Sequence, residues 1–263
     1  MLQEYGLEGK VAIVTGAAQG IGRGISLTVA EAGADIVAVD IATREMEQTA
    51  GQIRALGRRC LTINADVTKK DPVQGMVERT ISEFGKIDIL VCNAGKGGRR
   101  TVVPLPEHNL PPVSDQDWYG QIDLNLTQIL LCARAVGQHM IQRRRGKVII
   151  ITSAAAISKF DHNFIYCVSK AAAARFTQTL AREWGPYNIN VNAIGPGWIV
   201  HERSKLLWES SEEYRKKELS SIPMGRTGTP RDIGLLVVYL ASEASDFMTG
   251  QNIYIDGGVT AGG

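Results

Sequence analysis

Apolar positions along this chain follow two periods that take turns. Short apolar runs, many of them β-branched, occupy 10–15 (KVAIVT), 35–39 (DIVAV), 59–64 (RCLTIN) and 87–92 (IDILVC). Between them, 20–32, 43–56 and 71–84 carry helical spacing. Runs with little polar interruption are what strands covered on both faces require. Gly33 and Gly57 follow the first two helical stretches as expected C-caps. Asp71 and Pro72 read as the N-cap and first residue of the third. The alternation continues with a long helix over 115–142, a strand at 147–151 and a helix over 163–184. A strand at 190–194, a helix over 230–242 and a last strand at 252–255 complete it. Alternating strands and helices demand parallel strands joined by right-handed crossovers. The predicted fold is α/β: a doubly wound, parallel, seven-stranded sheet with helices on both faces, one domain over 1–263.

Two segments break the rhythm. Residues 96–114 hold four prolines and no periodicity, which predicts a loop. Residues 200–229 contain a polar helical stretch, 202–219, followed by Pro223 and several glycines. Long insertions beyond strand ends are where α/β proteins build substrate walls and lids.

Composition narrows the function classes. With 29 basic and 27 acidic side chains the net charge is +2, so nothing general points to nucleic acid or a membrane. The one basic cluster, Arg143 to Arg145 with Lys147, falls where a helix ends, and there cations complement the helix dipole. No apolar stretch approaches 18 residues and positions 1–10 lack a leader pattern, so a soluble, cytoplasmic protein is expected. Cys60, Cys92, Cys132 and Cys167 show no ligand or pairing spacing, three of them in apolar surroundings that predict buried thiols. The four histidines, His108, His139, His162 and His201, show no ligand spacing either, so no metal is expected.

The chemistry sits at the predicted strand ends. The first strand runs into Thr15-Gly16-Ala17-Ala18-Gln19-Gly20-Ile21-Gly22 and then a helix. Glycines in that setting let the backbone approach a pyrophosphate at a helix N-terminus. Asp40 ends the second strand, 18 residues after Gly22. A carboxylate there accepts ribose hydroxyls and repels a 2′-phosphate, which favours NAD over NADP. Arg44 stands close enough in sequence to soften that preference. Asp66 and Val67 could hold an adenine, and Asn93-Ala94-Gly95 lets a cofactor lie against the fourth strand. Ser153 follows the fifth strand, while Tyr166 and Lys170 are i,i+4 on one face of the next helix. Reducing a carbonyl by hydride needs a proton donor, and an ammonium near a phenol favours the phenolate. Ser153 can orient the substrate oxygen.

Together these motifs resemble the short-chain dehydrogenase/reductase family. The likeness runs from TGAAQGIG (15–22) through NAG (93–95), Asn125, Ser153 and YCVSK (166–170) to IGPGW (194–198) and IDGG (255–258). The resemblance implies a Rossmann-type sheet, with Tyr166 as general acid/base and Lys170 binding the nicotinamide ribose and lowering the tyrosine pKa. It also implies that Ser153 orients the substrate, and that Asn125 holds a water relaying protons to Lys170. Pro196 and Gly197 would line the nicotinamide pocket, with the Ile199 backbone facing the carboxamide. A homotetramer or homodimer is implied as well.

Three features depart from the family pattern. Cys92 stands in place of an asparagine. His201 stands where a threonine often contacts the cofactor, and is open to a lid or substrate role. The segment from Gly95 to Asn125 is several residues long, with Arg99, Arg100 and His108 as solvated charges or a wall for an anionic substrate. The expected activity is NAD-dependent hydride transfer to or from a small secondary alcohol or ketone, such as a polyol, sugar-derived or cyclic alcohol. A 3-oxoacyl-thioester reductase is the alternative, and a catalytically silent NAD-binding regulator a third.

Overall fold

The strands β1 (Val11–Thr15), β2 (Asp35–Asp40), β3 (Cys60–Asn64), β4 (Ile89–Cys92), β5 (Gly146–Ile151), β6 (Ile189–Pro196) and β7 (Asn252–Ile255) form one sheet in the order β3-β2-β1-β4-β5-β6-β7. Every pairing is parallel. The computed structural model describes residues 2–107, 109–158 and 163–261, so His108 and His162 lie outside the described residues.

Successive residues of a strand face opposite sides, and the buried runs divide accordingly. Val11 and Ile13 enter a core shared with α3 (Lys70–Phe84), α5 (Gln128–Arg143) and α6 (Phe164–Trp184). Ala12 and Val14 face the opposite core, against α1 (Gly20–Glu31), α2 (Thr43–Ala55) and α9 (Pro230–Ala241). Burial on both faces explains why the central strands read as unbroken apolar runs.

Four local expectations change. Helix α3 begins at Lys70 after Lys69, so Asp71 and Pro72 lie inside its first turn. An acidic residue and a proline suit any first-turn position, which leaves the exact start to the surrounding structure. The helix expected over 115–142 is α4 (Asp115–Ile122), a π-turn (Asp123–Thr127) and α5. The polar stretch 202–219 forms two helices, α7 (Glu202–Ser210) and α8 (Glu212–Ser220). Cys92 and Cys132 are buried thiols, but Cys60 and Cys167 are only partly covered. Residues 96–107 and 109–114 carry neither helix nor strand, and a bridge between Thr101 and Pro112 closes the segment. Gly33 and Gly57 follow α1 and α2 as expected, both at positive φ.

Candidate active site

Strand order reverses between β1 and β4, and in an open α/β sheet the crevice beyond that point is the ligand site. The turn after β1 is built for close approach. Gly16 has φ +67°, and a Cβ there would lie 2.9 Å from Asn93 Nδ2 and 3.1 Å from Ala94 Cα. A Cβ on Gly22 would collide with the Gly16 carbonyl oxygen. Neither position takes a side chain without moving the turn.

Asn93 and Thr15 tie the turn to β4. The Asn93 amide donates to the Thr15 and Gly16 carbonyls at 2.9 and 3.2 Å. The Thr15 hydroxyl accepts the N–H groups of Asn93 and Ala94 at 3.0 and 3.1 Å. The Asn93 side chain therefore shapes the turn as well as facing the crevice. Thr15 heads the glycine turn in the sequence, but its hydrogen bonds to β4 are set by the tertiary structure.

At the end of β2, Asp40 accepts the Ala18 N–H through Oδ2 and the Ala42 N–H through Oδ1, both at 3.0 Å. A carboxylate has about four lone-pair sites, so two backbone donors leave acceptor capacity for ribose hydroxyls. Beyond β3, Asp66 accepts the Thr68 hydroxyl and N–H at 2.7 and 2.9 Å. The hydroxyl bond is the main reason its carboxyl stays below the ordinary carboxylate pKa. Val67 beside it is buried.

Across the crevice, Ser153 caps the 3₁₀ turn Ala154–Ala156 by accepting the Ala155 N–H at 3.1 Å. Its hydroxyl also lies close enough to the Tyr166 phenol to favour the phenolate. Helix α6 brings Tyr166 and Lys170 to the same wall, with Lys170 Nζ 5.6 Å from the Tyr166 ring centroid. Lys170 donates to the Ile151 carbonyl at 2.8 Å and is 3 % exposed. Burial pushes its pKa down to about 8. Burial likewise raises the Tyr166 phenol, and the Ser153 hydroxyl offsets only part of that. The net direction for the phenol is upward, with burial as its main cause. Both side chains are withdrawn from water, and withdrawal favours the neutral forms.

Asn125 sits in the π-turn, wholly buried, and its amide is committed to one residue. Its Oδ1 accepts the Lys96 N–H and its Nδ2 donates to the Lys96 carbonyl, both at 3.0 Å. It anchors the start of the long loop beside Lys170: a Cβ on Gly95 would touch both Asn125 Oδ1 and Lys170 Nζ.

All these walls enclose one cleft of about 570 Å³. It is lined by Gly16, Gln19, Gly20, Ile21, Gly22, Asp40, Asp66, Val67, Asn93, Ala94, Gly95, Ser153, Tyr166, Lys170, Pro196 and Gly197. Of the expected residues, Asn125 stands behind it and Ile199 outside it. The Ile199 side chain is buried in the core, and its bridge to Gly228 runs through the Trp198 carbonyl and the Val200 N–H. Lys96, Leu124, Thr152 and His201 line the cleft in addition. A glycine-rich turn at a helix N-terminus, an acceptor at the end of β2 and a phenol beside a buried ammonium fit a nicotinamide dinucleotide. Among the described residues, no His, Cys, Asp and Glu cluster could hold a metal ion.

A family model described as enoyl-(acyl carrier protein) reductase matches residues 16–260. The 2-dehydro-3-deoxy-D-gluconate 5-dehydrogenase of Escherichia coli (strain K12) is 39% identical over 260 residues, covering 98% of both chains. The solved structure of a short-chain type dehydrogenase/reductase from Mycobacterium marinum superposes with a TM-score of 0.89 at 35% identity, covering 99% of each chain. This chain belongs to the short-chain dehydrogenase/reductase family. A further relative, the NAD-dependent glycerol dehydrogenase of Listeria innocua, is 37% identical over 98% of this chain and 96% of its own length. As a short-chain dehydrogenase/reductase the chain is an oxidoreductase acting on CH–OH groups. The seven-stranded parallel sheet is the Rossmann-type sheet that the resemblance implied.

Proposed function

We propose that this enzyme is an NAD-dependent dehydrogenase of a secondary alcohol on a polyol or sugar-derived substrate, also able to reduce the matching ketone. The observation that carries this reading is one cleft faced by Asp40 at one end and by Ser153, Tyr166 and Lys170 at the other. The relatives named for glycerol and for a deoxygluconate derivative support a small polyhydroxylated substrate. The Asp40 carboxylate and the NAD-dependent relative support NAD over NADP.

The nicotinamide, when bound, supplies or accepts the hydride. Everything else falls to the chain. Tyr166 exchanges the hydroxyl proton with the substrate oxygen through its phenol, and Ser153 holds that oxygen by a hydrogen bond. Lys170, fixed against the Ile151 carbonyl, provides the positive charge that steadies a developing phenolate. Asn125 acts through the Lys96 backbone. Its two bonds to Lys96 leave one Oδ1 lone pair and one Nδ2 hydrogen, which is enough to hold a proton-relaying water at this turn.

Rates with NADH and NADPH across a panel of polyols, sugar acids, cyclic alcohols and 3-oxoacyl thioesters test the proposal. The expected result is a preference of at least about tenfold in kcat/KM for NAD(H), or about 1.4 kcal/mol. A preference for NADPH overturns the cofactor reading, and turnover of thioesters alone overturns the substrate reading. Tyr166→Phe is expected to lose about 10²–10⁴ in kcat while still binding NADH.

A further inference from the structure

The first residue of α1, Gly20, presents an N–H with no partner inside its own helix. That end of a helix carries partial positive charge and favours an anion. In this structure the anion is a side chain of the 200–229 segment. Glu202, the first residue of α7, accepts the Gly20 N–H through Oε2 at 3.2 Å. Its Oε1 pairs with Arg23 Nη1 at 2.9 Å. Arg23 is held from its other side by Gln52 Oε1, which accepts from Nε and Nη2 at 3.2 and 3.0 Å. Next to Glu202, the His201 ring lies over the turn, 3.4 Å from where a Gly20 Cβ would stand, and it lines the cleft.

We propose that Glu202 is a latch that competes with the cofactor phosphates for the donor at the amino end of α1, so that cofactor binding releases the start of the lid. The inference rests on the dinucleotide reading of the cleft. Its physical basis is that a diphosphate and a carboxylate repel each other and cannot both take one N–H. The latch is weak enough to be displaced. Glu202 is half exposed, at 54%, and exposed ion pairs contribute little. The residue that opens α7 is seated on the turn that begins α1, 182 positions earlier in the chain.

The test is NADH affinity, measured by fluorescence at fixed ionic strength on the wild type, Glu202→Gln and Glu202→Ala, with NADPH in parallel. Both variants are expected to bind about three- to tenfold tighter, as removal of one anion from a helix N-terminus predicts. Equal or weaker binding in both overturns the latch. Hydrogen exchange over 202–220 in the cofactor-free proteins is expected to be faster in Glu202→Ala. Unchanged exchange overturns the lid half of the proposal. A wild type that binds neither dinucleotide fails the cofactor reading and the latch together, whereas a wild type that binds, with variants no tighter, fails the latch alone.

Discussion

Lys170 shows how far burial alone can move a functional group. It lies 3 % exposed with its ammonium on the Ile151 carbonyl, and its pKa falls to about 8. Titration of the Lys170 side-chain nitrogen by NMR is expected to show a midpoint near 8 rather than the ordinary lysine value of about 10.4. The sign of the stability effect follows. Between about 8 and 10.4 the unfolded chain binds the proton and the folded chain does not, so this lysine's contribution to stability rises with pH in that window. Below about 8 the cost of burying its charge is present in full. Tyr166 moves in the complementary direction, raised by burial, so its phenol is protonated throughout the neutral range. The i,i+4 spacing was legible in the sequence, and so was the pairing of the two side chains. The direction of the tyrosine shift was not, because burial is a property of everything packed around α6.

At the scale of elements, the break in the helix over 115–142 matters most. A periodic pattern has no way to mark one widened turn. Yet the π-turn holds Asn125, and bulges of this kind are common at functional sites. The Asn125 amide satisfies both backbone groups of Lys96, much as a neighbouring strand would. Asn125→Leu is expected to strand that donor and acceptor, costing about 1–3 kcal/mol in urea unfolding. Hydrogen exchange at Lys96 should speed up and kcat should fall, since the loop start beside Lys170 is no longer pinned. The loop is tied at further points that its sequence did not announce. The Gly98 N–H donates to Asn163 Oδ1 at 3.2 Å, and Arg100 pairs with Asp117 at 3.3 Å. Arg100 is therefore neither a plain solvated charge nor an uncommitted substrate wall.

Across the whole molecule, the basic cluster at the end of α5 proves to be structural. Arg143 reaches Asp88 at 3.0 Å, Arg145 reaches Glu243 at 2.7 Å and Lys147 reaches Asp246 at 2.7 Å. These pairs stitch the amino-terminal edge of the sheet, opposite the cleft. Asp88 is the keystone, 5 % exposed, with its carboxylate also accepting the Val11 N–H at 3.0 Å and facing Lys86 at 3.3 Å. Burial pushes its pKa up, but the Val11 N–H, Arg143 and Lys86 together hold it below the ordinary carboxylate value. A depressed carboxylate stabilises the fold above its unfolded pKa of about 3.9 and loses that contribution as pH falls through the lower folded value. Asp88→Ala is expected to cost about 1–3 kcal/mol at neutral pH, by stranding the buried Val11 N–H and removing the acceptor shared by Arg143 and Lys86. Urea unfolding of both proteins between pH 3 and 7 checks this, with the difference shrinking toward the acid end. Among the described residues no helix is long and apolar enough to cross a membrane.

The order of strands and helices, the doubly wound class and the dinucleotide turn were all determined by the sequence itself. Each rests on local rules: a period of two or 3.6, glycines between a strand and a helix, and i,i+4 spacing within one helix. Tertiary structure decided which of those residues face one another. It set Asn93 and Thr15 to holding the turn, drew Ile199 into the core, and turned Asn125 toward Lys96. It also carried Glu202 across 182 positions to the end of α1. Distance along the chain carries no trace of such contacts. They arise only when crossovers bring the carboxyl ends of β1, β4, β5 and β6 to one edge of the sheet, where backbone donors left over from one element meet acceptors from another.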